Sequence, residues 1–353
     1  MTAARHDFPV LERVAYLNAG SVGPLSRRTL EAMAEHERLG LNGGRGAHSS
    51  FAARMELREQ LRARLAGLIG AAAENVALTS STTEGCHVVF AGLDLGPEDE
   101  VVTTDAEHFG LLGTLGSTGA GVRVAPVLGR GEAEAVQALV DAVTPRTRLV
   151  ALSHVLWLNG QVLPIAEIKR AIGLPVLVDG AQSVGAIPVR ATEVDYYTVS
   201  GQKWLCGPEL TGGLYVADPE SLRPRLRLDA AALGMPERNG AVRLEMLFHP
   251  GALSAGLLSA IDQLPPDAFE RAADVTRGCR EALLKAGVEV VTEPEQATLV
   301  SFKTAGDPDQ AVEACEGRGV VIRRLPNGWL RASCGWWNTA EDVERLVASL
   351  PGA

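Results

Sequence analysis

Two apolar runs, each stopping at a chemically useful residue, constrain this chain more than any other feature. Val176-Leu177-Val178 ends at Asp179, and a second run, Tyr196 to Val199, ends in Ser200-Gly201-Gln202-Lys203. Apolar strands of this kind are buried on both faces, belong to parallel sheets, and present chemistry at the carboxyl edge. The pattern extends from Val76 to Val216 as short apolar strands alternating with helical stretches, the signature of βα units. Strands are expected near Val76–Thr79, Glu100–Thr104, Val122–Pro126, Arg148–Ser153, Pro175–Asp179, Tyr196–Ser200 and Gly212–Val216, with helices such as Thr83–Gly92, Glu132–Val143 and Ile165–Ile172 between them. The implied fold class is α/β, with a mainly parallel seven-stranded sheet.

The flanks read differently. A helix is expected from about Leu25 to Leu39, then a glycine-rich loop from Leu41 to Gly46, then a long amphipathic helix capped by Ser49-Ser50 and running through Leu68. That loop suits either a mobile active-site segment or a plain connector. Leu226 to Arg243 reads as a long loop. Helices follow near Ala252–Gln263 and Pro266–Lys285. The tail then alternates strands near Leu299–Lys303, Val320–Arg323 and Trp329–Ala332 with helices near Pro308–Gly317 and Thr339–Leu350, as a small α+β unit does. The expected division is a large domain over residues 16–248 and a small domain made of 1–15 and 249–353, since single cores stop growing near roughly 250–300 residues. Gly116-Ser-Thr-Gly119-Ala-Gly121 imitates a nucleotide loop, but it follows a helix and precedes a strand, so it reads as a turn.

Charge narrows the partners. The net charge is −10 with no basic block, which argues against nucleic acid. Neither a signal-peptide core nor a membrane-length apolar run is visible, and five dispersed cysteines without paired spacing suit reduced thiols, so a cytoplasmic setting is expected and a metal site is not.

Only four of the 33 basic residues are lysines, so Lys203 at a strand end stands out. A carboxylate at one strand end and a lysine with a hydroxyl at the next suit pyridoxal 5′-phosphate: the lysine forms the Schiff base and Asp179 keeps the pyridine nitrogen protonated. Leu78 to Gly85 follows a strand and opens a helix, where backbone N–H groups and hydroxyls form a phosphate site or an ordinary cap. Glu107-His108 opens another helix at the same edge, giving a ring-stacking or a capping histidine. Ser153-His154 ends a further strand, and His154 reads equally as packed or as facing the cofactor. Arg331, in a short apolar strand, matches a substrate carboxylate bidentately, and Arg323 or Arg324 lies within reach; alternation lets one of that pair face the pocket without saying which.

These stretches, with Leu152–Pro164, Val178–Ser183, Asp195–Trp204 and Leu330–Ser333, occur in one order over nearly the whole chain. They resemble class V aminotransferase-type enzymes of the fold-type I pyridoxal-phosphate family, and most closely the L-cysteine/cystine C–S lyases. The resemblance implies Lys203 as the Schiff-base lysine, Asp179 as the pyridine partner, His108 as the stacking residue and Gln182 as a donor to the ring's phenolic oxygen. It further implies Thr82, Thr83, Ser200 and Gln202 as the phosphate cradle, Arg331, Arg323, Asn18 and Trp157 at the substrate, and a homodimer with the site near the subunit interface. Two residues depart from the family pattern: Gln202 stands where most relatives carry histidine, and Phe248 where many carry a threonine that reaches the neighbouring subunit's phosphate site.

Pyridoxal phosphate supports several reactions on one scaffold. A desulfurase needs a cysteine on the loop before the Arg331 strand, and Gly319 to Leu330 contains none. β-Elimination from cystine or a related cysteine conjugate is then the expected activity. Transamination, epimerisation, desulfurase-like chemistry and a non-catalytic binding protein are its rivals.

Overall fold

The computed structural model describes residues 5–224 and 237–351. Two 3-10 turns lead into β1 (Ala15–Tyr16), followed by α1 (Arg27–Gly43) and α2 (His48–Leu68). Alternation then runs through β2 (Val76–Thr79), α3 (Thr82–Gly92), β3 (Glu100–Thr104), α4 (Phe109–Gly116), β4 (Gly121–Ala125), α5 (Glu132–Ala142), β5 (Thr147–Ser153), α6 (Ile165–Ile172), β6 (Val176–Asp179), β7 (Tyr196–Ser200) and β8 (Gly212–Val216). After α7 (Gly251–Asp262) and α8 (Ala268–Lys285) come β9 (Leu299–Phe302), α9 (Pro308–Gly317), β10 (Val320–Val321), β11 (Arg323–Arg324), β12 (Leu330–Ser333) and α10 (Ala340–Ser349).

Seven strands form one sheet in the order β2-β8-β7-β6-β5-β3-β4, parallel except for β8, which runs against both neighbours. This is the α/β architecture expected from the alternation. Separate apolar cores cover its two faces, one holding Val150, Val178 and Val199, the other Leu149, Leu177 and Tyr196. Burial on both faces explains why these strands are almost continuously apolar. The parallel order brings the last residues of β2, β3, β5, β6 and β7 to a single edge. These are Thr79, Thr104, Ser153, Asp179 and Ser200, and Ser153 stands directly beside Asp179 in register.

A smaller antiparallel sheet, β11-β12-β9, carries Arg331 on its central strand. The segment expected as one strand over Val320–Arg323 is two. Val320-Val321 pair with Ala15-Tyr16, and Arg323-Arg324 pair with Arg331 and Leu330, because the chain leaves one partner and joins another at Ile322. The glycine-rich connector is also shorter than expected. Helix α1 continues through Gly43 and stops where Gly44 turns to φ +80°, and α2 starts at His48 with Ala47 as its cap, so Ser49-Ser50 lie inside the helix. Of the expected loop Leu226–Arg243, residues 226–236 lie outside the described residues, and Gly240–Leu244 form a 3-10 turn. The Gly116–Gly121 stretch is the α4-to-β4 turn. Leu257 and Ile261 of α7 pack in the large sheet's core, so this helix shares the large unit's interior although its residue numbers fall in 249–353.

Candidate active site

Asp179 ends β6 as a buried carboxylate. Its Oδ1 accepts from the Ala181 N–H at 2.9 Å and from the Thr198 hydroxyl at 3.4 Å, and Thr82 at the start of α3 supplies a further hydrogen bond. Burial raises its pKa, while Lys203 and these donors pull it back down. Thr198 also accepts from the Gly180 N–H at 3.2 Å, so one threonine on β7 holds both the carboxylate and the turn after it. Two-residue alternation placed Thr198 on the same side of β7 as Ser200, a signal the sequence carried and the motif reading passed over.

Lys203 sits in the turn after β7, half-buried. Desolvation drives its pKa down to about 8; Asp179 opposes that shift, and Arg331 and Arg323 add to it. The lysine therefore lies within the fields of one carboxylate and two guanidinium groups. Gly23 lies so close that a Cβ there would meet the Lys203 carbonyl oxygen at 2.0 Å, and its N–H donates to the Gln202 carbonyl at 2.7 Å. The loop before α1 thus packs against the lysine turn.

The arginines come from the small sheet. Arg331 is 1% exposed; one Nη donates to the Trp157 carbonyl at 2.9 Å, and its Nε has no partner among the described residues. Burial and the neighbouring Arg323 push its pKa down to about 9. Gly20 makes room for it, because a Cβ at residue 20 would stand 2.7 Å from Arg331 Nη2. Arg323 donates to the Ser21 hydroxyl at 2.9 Å, and Ser21 in turn donates to Asn18 Oδ1 at 2.8 Å. Arg324 points away and pairs with Asp309 at 3.2 Å on the surface, so alternation resolves in favour of Arg323. Ser21, which joins two of the expected substrate residues, was missed because nothing local marks a serine in a flexible loop.

His108 is the N-cap of α4: its Nδ1 accepts from the Gly110 N–H at 3.1 Å, leaving Nε2 as the protonated nitrogen. Burial, then Lys203, Arg323 and Arg331, lower its pKa to about 4, so the ring is neutral near pH 7. Its ring lies 3.8 Å from that of Phe109 and meets Trp157 edge-on at 5.0 Å. Capping and a place among the site's cations therefore coexist. His154 is packed: its Nδ1 bonds the Tyr197 hydroxyl at 2.7 Å, and burial takes its pKa to about 4.

The phosphate candidates are less uniform. Ser81 caps α3 by accepting from the Glu84 N–H, which leaves the Thr82 and Thr83 amides as first-turn donors that no helix carbonyl takes. Thr82 is buried and turned to Asp179, whereas Thr83 is exposed and lies beside Gly110. The Ser200 hydroxyl donates to Gln202 Oε1 at 3.2 Å, tying those two together. Gln182 is held from both ends, donating to the Gly20 carbonyl at 2.9 Å and accepting from Trp204 Nε1 at 3.0 Å. Phe248 is 86% exposed.

These groups fit pyridoxal phosphate by their chemistry. A buried carboxylate suits a ring cation, a lysine of depressed pKa suits an aldehyde, a neutral imidazole suits a flat ring, and a helix N-terminus with hydroxyls suits a phosphate. Residues 15–228 match the model of the aminotransferase class-V family. Curated relatives include probable cysteine desulfurases of Methanothermobacter thermautotrophicus, 29% identical over 98% of this chain and 96% of the relative, and of Aeropyrum pernix, 30% identical over 98% and 96%. Among solved structures, a point mutant of C-DES with glycine covalently linked to the PLP cofactor superposes with a TM-score of 0.92 at 30% identity over 98% of both chains. A complex of the cystine C–S lyase C-DES with its reaction product cysteine persulfide gives 0.91 at 30% identity over 97% of this chain and 98% of that one. Fold, donor set and likeness agree: the chain belongs to the class V aminotransferase family and is a pyridoxal-phosphate-dependent enzyme of fold type I.

Proposed function

We propose that this enzyme is a C–S β-lyase acting on cystine or a related cysteine conjugate: substrate and water give pyruvate, ammonia and a thiol or persulfide. The observation that carries the reading is the pair Arg323 and Arg331, a half-buried and a buried guanidinium group whose fields both reach Lys203 and to which no carboxylate is paired among the described residues. A buried, uncompensated charge is costly unless a ligand completes it. A substrate with two carboxylates supplies one for each arginine, and the structure of a cystine lyase with cysteine persulfide supports that substrate class.

When bound, pyridoxal phosphate supplies an electron sink for the bonds at the substrate Cα. Asp179 would hold the proton on the ring nitrogen, and Lys203 and its own donors offset part of the rise in pKa that burial imposes. Lys203 Nζ, with its depressed pKa, would take the Cα proton. His108, neutral with Nε2–H, would stack on the ring and offer that N–H as a hydrogen-bond donor to the departing sulfur. Thr82, Thr83, Ser200 and Gln202 would hold the phosphate, and Gln182 the phenolic oxygen. Arg331 would fix the α-carboxylate and Arg323 the distal one, with Asn18 and Trp157 shaping the pocket.

The curated relatives' names favour a second reading, cysteine desulfurase. That reaction needs a thiol delivered to the substrate sulfur. All five cysteines are buried, and Cys334, fully enclosed in the small unit's core, follows the Arg331 strand instead of lying on the loop before it. A homodimer accords with the exposed apolar side chains Leu41, Phe51 and Phe248, and five unpaired thiols accord with the cytoplasm. No helix among the described residues is long and apolar enough to cross a membrane. The decisive assay incubates the holoenzyme with cystine, cysteine and S-substituted cysteines and measures pyruvate. Stoichiometric pyruvate from cystine supports the lyase; alanine from cysteine would replace it with desulfuration.

A further inference from the structure

Glu107 is a buried carboxylate that the reaction above does not use, and it has no cationic partner among the described residues. Its Oε1 accepts from the Thr104 hydroxyl at 2.5 Å and from the Ser153 N–H at 3.0 Å, and its Oε2 is bonded to the Ser153 hydroxyl at 2.5 Å. Thr104 ends β3, Ser153 ends β5, and Ser153 is the register partner of Asp179 at the end of β6. The His154 N–H donates to the Asp179 carbonyl at 3.1 Å, continuing the same tie. On its other side, Glu107 is bonded in sequence to His108, the cap of α4. One carboxylate therefore joins the adjacent ends of β3 and β5, and Ser153 and His154 carry the tie on to β6, at the point where the residue assigned to stack on the ring and the residue assigned to its nitrogen must keep a fixed separation.

We infer that Glu107 is a positioning residue that sets the spacing between His108 and Asp179, and so the slot in which the cofactor ring is gripped. The inference rests on the assignment of His108 and Asp179 to that ring. Three hydrogen bonds are more than a cap needs, and none of them reaches substrate, so Glu107 acts through its neighbours. Burial and the nearby Asp179 raise its pKa to about 7, which makes glutamine a close mimic. A glutamine Oε1 accepts from Thr104 and the Ser153 N–H, and its Nε2 donates to the Ser153 hydroxyl. Alanine removes all three bonds.

The test compares Glu107→Ala, Glu107→Gln, Ser153→Ala and His108→Ala, and the double variant Glu107→Ala/His108→Ala, as holoenzymes and as apoproteins. Each is read by kcat and KM on cystine, by the cofactor's induced circular dichroism in the visible, by pyridoxal-phosphate affinity and by apoprotein melting. Misplacement of reacting groups by about 1 Å costs on the order of 10²-fold in rate. Glu107→Ala is expected to lose up to that factor in kcat, to weaken the visible dichroism and to bind cofactor less tightly. Glu107→Gln should recover most of each signal, and Ser153→Ala should show a smaller version of the loss. The double variant should be no slower than His108→Ala alone, because contacts acting in one chain are not additive. Losses that add in the double variant, or a Glu107→Gln enzyme as impaired as the alanine one, would overturn the inference. A His108→Ala holoenzyme with wild-type turnover and dichroism would instead overturn the assignment beneath it. Ser153→Ala keeps the test open if Glu107→Ala does not fold, since unaltered dichroism in that well-folded variant also overturns the inference.

Discussion

The two charged halves of the site are built on opposite terms. Around Asp179 most of the demand is met from within the chain, by two backbone or hydroxyl donors, a third from Thr82 and the charge of Lys203, although burial still raises its pKa. Around Arg331 the demand is left open among the described residues, with one carbonyl contact, an Nε without a partner and a second arginine nearby. The first half comes from the large sheet's edge and the second from the small sheet. The difference teaches which occupant each expects. A resident group can be met by a completed cradle, whereas a substrate that enters and leaves must bring the missing charge itself.

The most damaging break in this comparison is Lys203→Ala. It should abolish both turnover and the covalently held cofactor's visible absorption while leaving the apoprotein folded. Borohydride trapping and peptide mapping check it: label retained on Lys169 or Lys303, which pair with Asp195 and Glu289 away from the site, would refute the assignment.

Arg331→Met sharpens the contrast. A charge-assisted contact is worth roughly 1.5–3 kcal/mol, so kcat/KM should fall about 10- to 150-fold on every amino-acid substrate. The apoprotein should meanwhile melt higher, by roughly 2 °C, because a buried charge without a counterion has been removed. Calorimetry on the apoprotein decides; a drop in melting temperature would mean that the guanidinium is compensated after all.

Arg323→Ala should separate substrates. About 10-fold is expected from kcat/KM on cystine, with S-methylcysteine spared, and Arg324→Ala should alter neither, since an exposed ion pair is worth only about 0–1 kcal/mol. Equal losses on both substrates in Arg323→Ala would remove the two-carboxylate reading.

The smallest effect concerns pH. His154 titrates near 6.5 when unfolded and near 4 when folded, so the unfolded chain binds the proton more readily in that window. Its contribution to stability is complete above about 6.5 and is lost as pH falls toward 4. Glu107 and Asp179, whose pKa values are raised, act in the opposite sense, so the clean quantity is a difference. The stability of wild type minus that of His154→Gln should rise with pH between about 4 and 6.5, as read by urea titration at several pH values.

Local signals made part of this site legible. Asp179 and Lys203 each close an apolar strand, and a strand end in a parallel sheet faces the same edge wherever its partners lie. Trp157, Asn18 and Gln182 were reached through the family resemblance. Glu107 was seen beside His108 but given no task, because Ser153 is separated from it by a whole βα unit and no periodicity announces a bond across that gap. The split at Ile322 was equally hidden, since Val320 to Arg324 is uniformly strand-like and only the competing partners β1 and β12 divide it.

By itself, then, the sequence determined the alternation of strands and helices, the mainly parallel sheet, and the lysine and aspartate at its edge, because each depends on residues close together in the chain. Tertiary structure alone decided that Arg323 turns to Ser21 while Arg324 pairs with Asp309, that His154 is packed against Tyr197, that Ser21 joins Asn18 to Arg323, and that Glu107 ties the ends of β3 and β5. Those outcomes turn on which of two strand faces is buried and on hydrogen bonds between distant segments, and such choices exist only once the sheets have formed and packed together.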